Sequence, residues 1–156
     1  MKSIKYSLQF LIILILFLIF KIVGLRFASF FSSKIVSFIG PFFRSKDIIK
    51  SNLLKALPNL NHNEIKKITK KMWSNYGRIL AEYIFIKDFR NSKFINNIEI
   101  TGQDILDRIK QNNEPVIFVS GHFNNFELMA MQIEKSGINL AAVYRPLNNK
   151  FLNFIM

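Results

Sequence analysis

The chain has 156 residues, half of them apolar, with no cysteine and a formal net charge of +12. The absence of cysteine excludes disulfides, thiolate metal sites and cysteine nucleophiles. A basic balance by itself suits nucleic acid, anionic lipid and acidic proteins alike. However, no acidic residue precedes Asp47, and basic residues flank the most apolar part of the chain. This charge distribution favours a lipid surface over nucleic acid.

Residues 6–23 form an apolar run in which Lys21 is the only charge. A helix of that length spans about 27 Å, enough to cross a bilayer. A cleaved signal peptide has a similar pattern, but residues 22–34 contain no small-x-small cleavage site. The run is therefore interpreted as an uncleaved anchor. More positive charge follows it than precedes it, which predicts that the following residues lie in the cytoplasm.

Residues 25–43 combine several phenylalanines with Arg26 and Lys34, and the segment ends at the break formed by Gly40 and Pro41. This mixture fits either docking at the membrane interface or an ordinary buried amphipathic helix. The spacing of Asn61 and Glu64 is that of a capping box, and apolar residues then recur at helical intervals to residue 86. The basic opposite face of that helix is either simply solvated or a docking surface for an acidic carrier.

From residue 97 onward, short apolar runs alternate with helical patterns. Strands are predicted at residues 97–101, 115–120 and 139–144, and helices at residues 103–110 and 125–136. This order predicts a βαβ unit with parallel strands. The predicted fold class is α/β: an N-terminal membrane-anchor helix, a helical segment, and the start of a mainly parallel β-sheet with flanking helices.

Two parts of the chain are predicted: an anchor and interfacial segment at residues 1–45, and the first part of a folded domain at residues 46–156. Two or three parallel strands with open edges seldom complete a core. We therefore expect the sequence to be part of a longer domain and to be inactive by itself.

The candidate chemistry lies in residues 120–128, SGHFNNFEL. His122 follows a predicted strand and Glu127 falls in the first turn of the next helix, at the sheet edge where α/β active sites lie. A carboxylate on one imidazole nitrogen lets the other nitrogen act as general base for a hydroxyl. In the alternative interpretation, the histidine caps the helix and Glu127 interacts with the helix dipole. No metal site is predicted, because there is no HExxH, no second histidine nearby and no cysteine.

A second block, residues 143–149 with the sequence VYRPLNN, follows the next predicted strand. In a parallel unit Arg145 emerges at the same edge as His122. Its guanidinium offers a fork for phosphate or carboxylate, although a lone arginine more often forms a surface ion pair.

The combination of apolar N-terminal helix, SGHFNNFEL and VYRPLNN resembles the N-terminal half of the lipid A biosynthesis (lauroyl/myristoyl) acyltransferases. The resemblance implies a Gram-negative, cytoplasm-facing enzyme of the cell inner membrane. It would transfer a fatty acyl group from acyl carrier protein to a hydroxyl of a lipid A precursor, without a cofactor. His122 would be the general base and Glu127 its acidic partner. Arg145, Asn125 and Tyr144 are the predicted substrate-binding residues.

Glycerol-phosphate acyltransferases share the histidine and acid motif, but Glu127 in place of aspartate, together with VYRP, favours the lipid A branch. Two alternatives remain open. One is a non-catalytic, membrane-anchored basic module, and the other is acyl transfer to a glycerol or mannoside acceptor.

Overall fold

The computed structural model describes residues 2–91, 93–143 and 145–154. They form α1 Lys2–Val23, α2 Leu25–Ile39, α3 Lys46–Ala56, α4 His62–Tyr83, α5 Ile86–Arg90, α6 Gln103–Asn112 and α7 Glu127–Lys135. Short 3-10 turns occur at Gly40–Phe42, Ile95–Asn97 and Leu152–Phe154. The chain divides into two compact units, one of Phe17–Ile84 and one of Met1–Leu16 with Phe85–Met156. The predicted boundary after residue 45 stays a prediction.

Helix α1 confirms the predicted apolar helix. Its stretch Ile4–Val23 is long and apolar enough to cross a membrane, and only 11% of its most apolar window is buried in the protein. Ile22 and Leu18 are among its exposed side chains. A helix of 20 residues is about 30 Å long, which matches the hydrocarbon thickness of a bilayer.

In the unit Phe17–Ile84, α2 packs against α4 through small side chains. Ala28, Ser32 and Ser33 of α2 are buried, as are Gly77 and Ala81 of α4. The phenylalanines of α2 lie on the exposed surface instead: Phe27, Phe30, Phe31 and Phe38. The buried face of α2 is therefore its small-residue face, and its largest apolar side chains remain available for contact outside the protein.

The start of α4 is the predicted capping box. The Glu64 amide donates to Asn61 Oδ1 at 3.0 Å, and the Asn61 amide donates to Glu64 Oε2 at 2.8 Å. These two bonds satisfy backbone donors that the first turn of a helix otherwise leaves open. The predicted end of α2 at the Gly40-Pro41 break is also confirmed, since the helix stops at Ile39.

In the other unit, α5 packs against α7. Phe85 and Phe89 are buried at α5, and Met131 and Ile133 are buried on α7. Arg90 at the end of α5 forms an ion pair with Glu134 of α7. This pair and the apolar contacts fix α7, whose first residue is Glu127, relative to α5.

The predicted α/β fold class is wrong for the described residues. Residues 115–120 and 139–143 are irregular, residues 98–101 contain no strand, and none of the described ranges contains a β-strand. No backbone hydrogen bond joins residues 115–120 to residues 139–143, so the βαβ unit is not formed. A strand exists only through hydrogen bonds to a neighbouring strand, whereas an apolar run is a property of one segment alone.

The exposure of residues 115–120 also disagrees with the predicted buried strand. A buried strand at residues 115–120, PVIFVS, would have covered side chains, yet Ile117 and Val119 are 92% and 90% exposed. Residues 115–118 and 138–141 instead line a cavity of about 600 Å³. The helices predicted around these segments are confirmed as α6 and α7.

Candidate active site

The chain turns sharply between residues 120 and 127. The Phe123 amide donates to the Gly121 carbonyl oxygen at 2.9 Å, and Asn124 adopts a left-handed conformation with φ of 47°. These features separate the irregular residues 115–120 from α7, which begins at Glu127. His122 lies within the turn and is exposed. The imidazole is therefore accessible to a substrate from outside the protein.

The His122 ring rests on Phe126, with ring centroids 4.5 Å apart in an edge-on arrangement. Glu127 is half-buried in the first turn of α7. His122 and Glu127 form neither a hydrogen bond nor an ion pair with each other in the described part of the chain. The structure thus places the two groups at either end of one turn without joining them. Sequence reasoning missed Phe126, although an aromatic residue four positions after a histidine was visible in the motif.

Asn125 lies just before α7 and is half-buried, with its side-chain oxygen inside the protein. Its backbone carbonyl accepts a hydrogen bond from the Leu128 amide at 3.2 Å. Asn125 therefore contributes to the start of α7 through its backbone. Its predicted contact with substrate stays a prediction.

Arg145 is exposed, and its guanidinium makes no ion pair with the acidic residues of the described chain. Tyr144, also predicted to bind substrate, lies outside the described residues. The cavity lined by residues 109–110, 113–118 and 137–141 is lined by neither His122 nor Arg145. The exposed turn at His122 and this cavity are therefore separate features.

The segment after Arg145 is held by two asparagines. Asn153 Oδ1 accepts from the Leu147 amide at 2.9 Å, and Asn153 Nδ2 donates back to the Leu147 carbonyl at 3.3 Å. Asn149 is 5% exposed and donates through Nδ2 to the Tyr6 carbonyl at 2.9 Å. These bonds join Leu147 to Asn153 and hold Asn149 against the first half of α1.

Sequence reasoning missed this structural role of Asn149. The available signal was Gln9, a polar residue inside the apolar run of α1. Asn149 Nδ2 lies 3.4 Å from Gln9 Oε1. Nearby, the rings of Phe10 and Phe151 are 5.9 Å apart. Two polar contacts of Asn149 and one aromatic contact thus connect the same two segments.

The Arg90–Glu134 ion pair shifts the pKa values of both partners. The hydrogen bond from Arg90 lowers the pKa of the Glu134 carboxyl below its ordinary value, and the same bond raises the pKa of Arg90. Both side chains are about half exposed, so salt screens their attraction. Across the described residues no group of three or more histidine, aspartate and glutamate side chains is arranged to hold a metal ion.

The chain matches a family of acyltransferases over its whole length. The family model is that of the bacterial lipid A biosynthesis acyltransferases, and it covers residues 1–156. The chain belongs to this family, which confirms the resemblance carried by the SGHFNNFEL and VYRPLNN blocks. It is therefore an acyltransferase of lipid A biosynthesis, with an acyl donor and a lipid acceptor as its substrates. No curated protein and no solved structure matched the chain.

Proposed function

We propose that the chain transfers a fatty acyl group from acyl carrier protein to a hydroxyl of a lipid A precursor, with His122 as the general base. The acceptor oxygen attacks the thioester carbonyl carbon while an imidazole nitrogen of His122 takes the hydroxyl proton. The carbon–sulfur bond then breaks, and the departing thiolate recovers that proton. No covalent intermediate with the protein is required.

The observation that carries this proposal is the position of His122: an exposed imidazole in the turn that opens α7, five residues before Glu127. Rotation of the ring from Phe126 toward Glu127 is the side-chain movement that the proposal requires. The carboxylate then orients the imidazole and stabilises the imidazolium formed during transfer. An exposed ring rotates among staggered conformers readily.

Substrate binding is proposed for Arg145, Asn125 and Tyr144. The exposed Arg145 guanidinium suits a phosphate of the acceptor, since its planar fork makes paired hydrogen bonds to phosphate oxygens. Helix α1 is proposed as a single anchor in the inner membrane, with the following residues in the cytoplasm. In the bilayer the first half of α1 contacts lipid in place of Asn149 and Phe151, since Tyr6 and Phe10 lie at the end of the helix opposite to the cytoplasmic one. Two basic residues precede the apolar run of residues 6–23, whereas four follow it before the first acid, Asp47, which supports this orientation.

The test is acyl transfer from labelled acyl carrier protein to lipid A precursor by the complete gene product that carries this sequence. His122→Ala should lower turnover by about 10² to 10⁴, the usual contribution of a general base. Gln111→Ala, an exposed substitution at the end of α6, is the folded control and should keep full activity. If His122→Ala retains more than about a tenth of wild-type turnover, His122 is not the base.

Two further variants separate the proposed roles. Glu127→Gln keeps the size of the side chain and a hydrogen-bond acceptor but removes the charge, so it should reduce turnover less than His122→Ala. Arg145→Ala should raise KM for the acceptor more than it lowers kcat, with partial recovery in Arg145→Lys. Equal transfer to glycerol or mannoside acceptors would contradict the lipid A precursor as the preferred substrate.

A further inference from the structure

The unit Phe17–Ile84 contains a cavity of about 560 Å³ where the end of α2 meets α3 and α4. Its volume falls within the range of small-ligand pockets in proteins. It is formed within one unit, by residues 37–73. The cavity is therefore distinct from the turn that carries His122.

The rim of this cavity is strongly basic. Four lysines line it against one acid: Lys46, Lys50, Lys66, Lys70 and Asp47. A neighbouring cavity of about 460 Å³ shares Ser37 and Lys70 with it. That second cavity adds further cations and no acid: Lys34, Lys71 and Arg78. The two together form a continuous cationic surface, which favours an anionic ligand.

The wall of the cavity is apolar and aromatic. Pro41, Ile49, Ile65 and Trp73 contribute to it. The indole packs so tightly on Gly40 that a Cβ at Gly40 would lie 2.4 Å from the ring. Trp73 Nε1 is buried and has no hydrogen-bond partner among the described residues. The cavity thus combines apolar and aromatic contact with the positive charge of its lysines.

Large exposed aromatic side chains adjoin the cavity in the chain. Phe38 follows the lining residue Ser37, and Phe42 and Phe43 follow the lining residue Pro41. These three phenylalanines are 76%, 82% and 79% exposed, respectively. Gly24, just before α2, connects it to the apolar helix α1, whose last residues belong to the same unit. Exposed aromatic residues beside lysines are typical of a surface that lies at the boundary of headgroups and acyl chains.

We infer that this cavity binds the headgroup of an anionic phospholipid of the surrounding membrane. The lysines neutralise the phosphate, the wall around Trp73 contacts the glycerol and upper acyl chains, and the exposed phenylalanines enter the adjacent lipid. A lipid is favoured over an acidic carrier protein, because the cations surround a recessed apolar cavity and are flanked by exposed phenylalanines. An acidic helix of a carrier would instead require a broad polar contact surface.

Trp73 is the only tryptophan of the chain, so its fluorescence reports on this cavity. The experiment adds phosphatidylglycerol or phosphatidylcholine with brominated acyl chains to the purified chain in neutral detergent micelles. Bromine quenches indole fluorescence at short range. Half-maximal quenching should require a mole fraction of phosphatidylglycerol at least about fivefold lower than that of phosphatidylcholine. This ratio corresponds to about 1 kcal/mol, which is the attraction of one lysine to an anionic lipid surface.

The matched variants are Lys66→Glu and Lys67→Glu, neighbours on α4 with the same change of charge. Only Lys66 lines the cavity, so only Lys66→Glu should remove the preference for phosphatidylglycerol. Circular dichroism checks that each variant keeps its helices. Lys50→Gln, on α3, provides a second test if Lys66→Glu fails to fold. A parallel measurement is the phosphatidylglycerol that copurifies from cell membranes, which should fall in Lys66→Glu and not in Lys67→Glu.

Four outcomes overturn the inference. Equal quenching by the two lipids shows that the cavity has no anionic selectivity. Equal loss in Lys66→Glu and Lys67→Glu shows a general charge effect. Two results would assign the cavity to a substrate instead. One is that acyl carrier protein protects Trp73 from quenching by the brominated lipid. The other is that lipid A precursor displaces phosphatidylglycerol at a mole fraction below that of the phosphatidylglycerol itself. Because the readout is lipid binding and not turnover, these outcomes are independent of the role proposed for His122.

Discussion

Gly77 of α4 lies directly against the backbone of Ser32 in α2: a Cβ at Gly77 would be 2.3 Å from the Ser32 carbonyl oxygen. The neighbouring residues of this interface are also small, since Ala28 and Ala81 are completely buried. Ser29 Oγ, in the same interface, donates to Glu82 Oε1 at 3.3 Å. The two helices can approach closely only because these positions carry small side chains.

Gly77→Ala should therefore destabilise the protein. By helix propensity alone, alanine in place of glycine would stabilise a helix by about 1 kcal/mol. Here the added methyl group meets backbone atoms that cannot rotate away, and overpacking of this kind costs about 1 to 3 kcal/mol. Thermal unfolding followed by circular dichroism should show a lower midpoint for Gly77→Ala. Lys67→Ala, on the exposed surface of α4, is the control and should change little. A raised midpoint in Gly77→Ala would show that the helices are farther apart.

In the protein outside a bilayer, Asn149 should control the order of the segment that follows Arg145. Its Nδ2 donates to the Tyr6 carbonyl, and its Oδ1 accepts from the Phe151 amide at 3.1 Å. Asn149→Ala removes both bonds, each of which contributes about 0.5 to 1.5 kcal/mol. Hydrogen exchange at the Phe151 amide should accelerate as a result. Asn149→Asp keeps the acceptor for Phe151 but loses the donor to Tyr6, so it should protect the Phe151 amide better than alanine does. Unchanged exchange in Asn149→Ala would exclude this role.

The Arg90–Glu134 pair should make stability depend on pH in the acid range. Because the folded protein lowers the pKa of Glu134 below its ordinary 4.5, the contribution of the pair is present above that value. It is lost as the pH falls through the lowered pKa of the folded state. Glu134→Gln should therefore flatten the decline of the unfolding midpoint between about pH 6 and about pH 3 at low salt. Added salt should reduce the difference from wild type, and an identical profile in both proteins would mean that the pair contributes nothing.

Helix α1 should hold the chain in the membrane by apolar burial, so alkaline carbonate and high salt should not release it. Ile12 and Ile15 are exposed on α1 at 57% and 49%, which makes their substitution harmless to internal packing. Each lysine placed there should cost about 2.5 to 3.5 kcal/mol in the bilayer centre. The double variant Ile12→Lys, Ile15→Lys should consequently appear in the soluble fraction. Release of wild type by either wash would contradict the anchor.

The orientation of the anchor can be tested with the same protein, because the chain contains no cysteine. Asn63→Cys introduces one thiol at an exposed position of α4. In intact cells it should react with a membrane-permeable reagent and not with a charged reagent confined to the periplasm. Labelling by the charged reagent would place α4 outside the cytoplasm.

Local sequence determined several elements of this protein. The capping box of Asn61 and Glu64, the stop of α2 at Gly40, and the apolar length of α1 each depend on residues that are close in the chain. Such features are readable because the interacting groups are only a few positions apart. The family was also readable, since SGHFNNFEL and VYRPLNN are continuous motifs and the family match covers the whole chain.

Tertiary structure decided what depends on a distant partner. Residues 115–120 have the composition of a strand, but composition supplies no neighbouring backbone, and no strand pairing forms with residues 139–143. His122 precedes Glu127 by five positions, yet its ring lies on Phe126, because an exposed side chain takes the best contact that its turn offers. The contact of Asn149 with Tyr6 spans 143 positions. Hydrogen bonds and close packing between segments so far apart exist only once the chain has folded, which is why periodicity and motif spacing could not predict them.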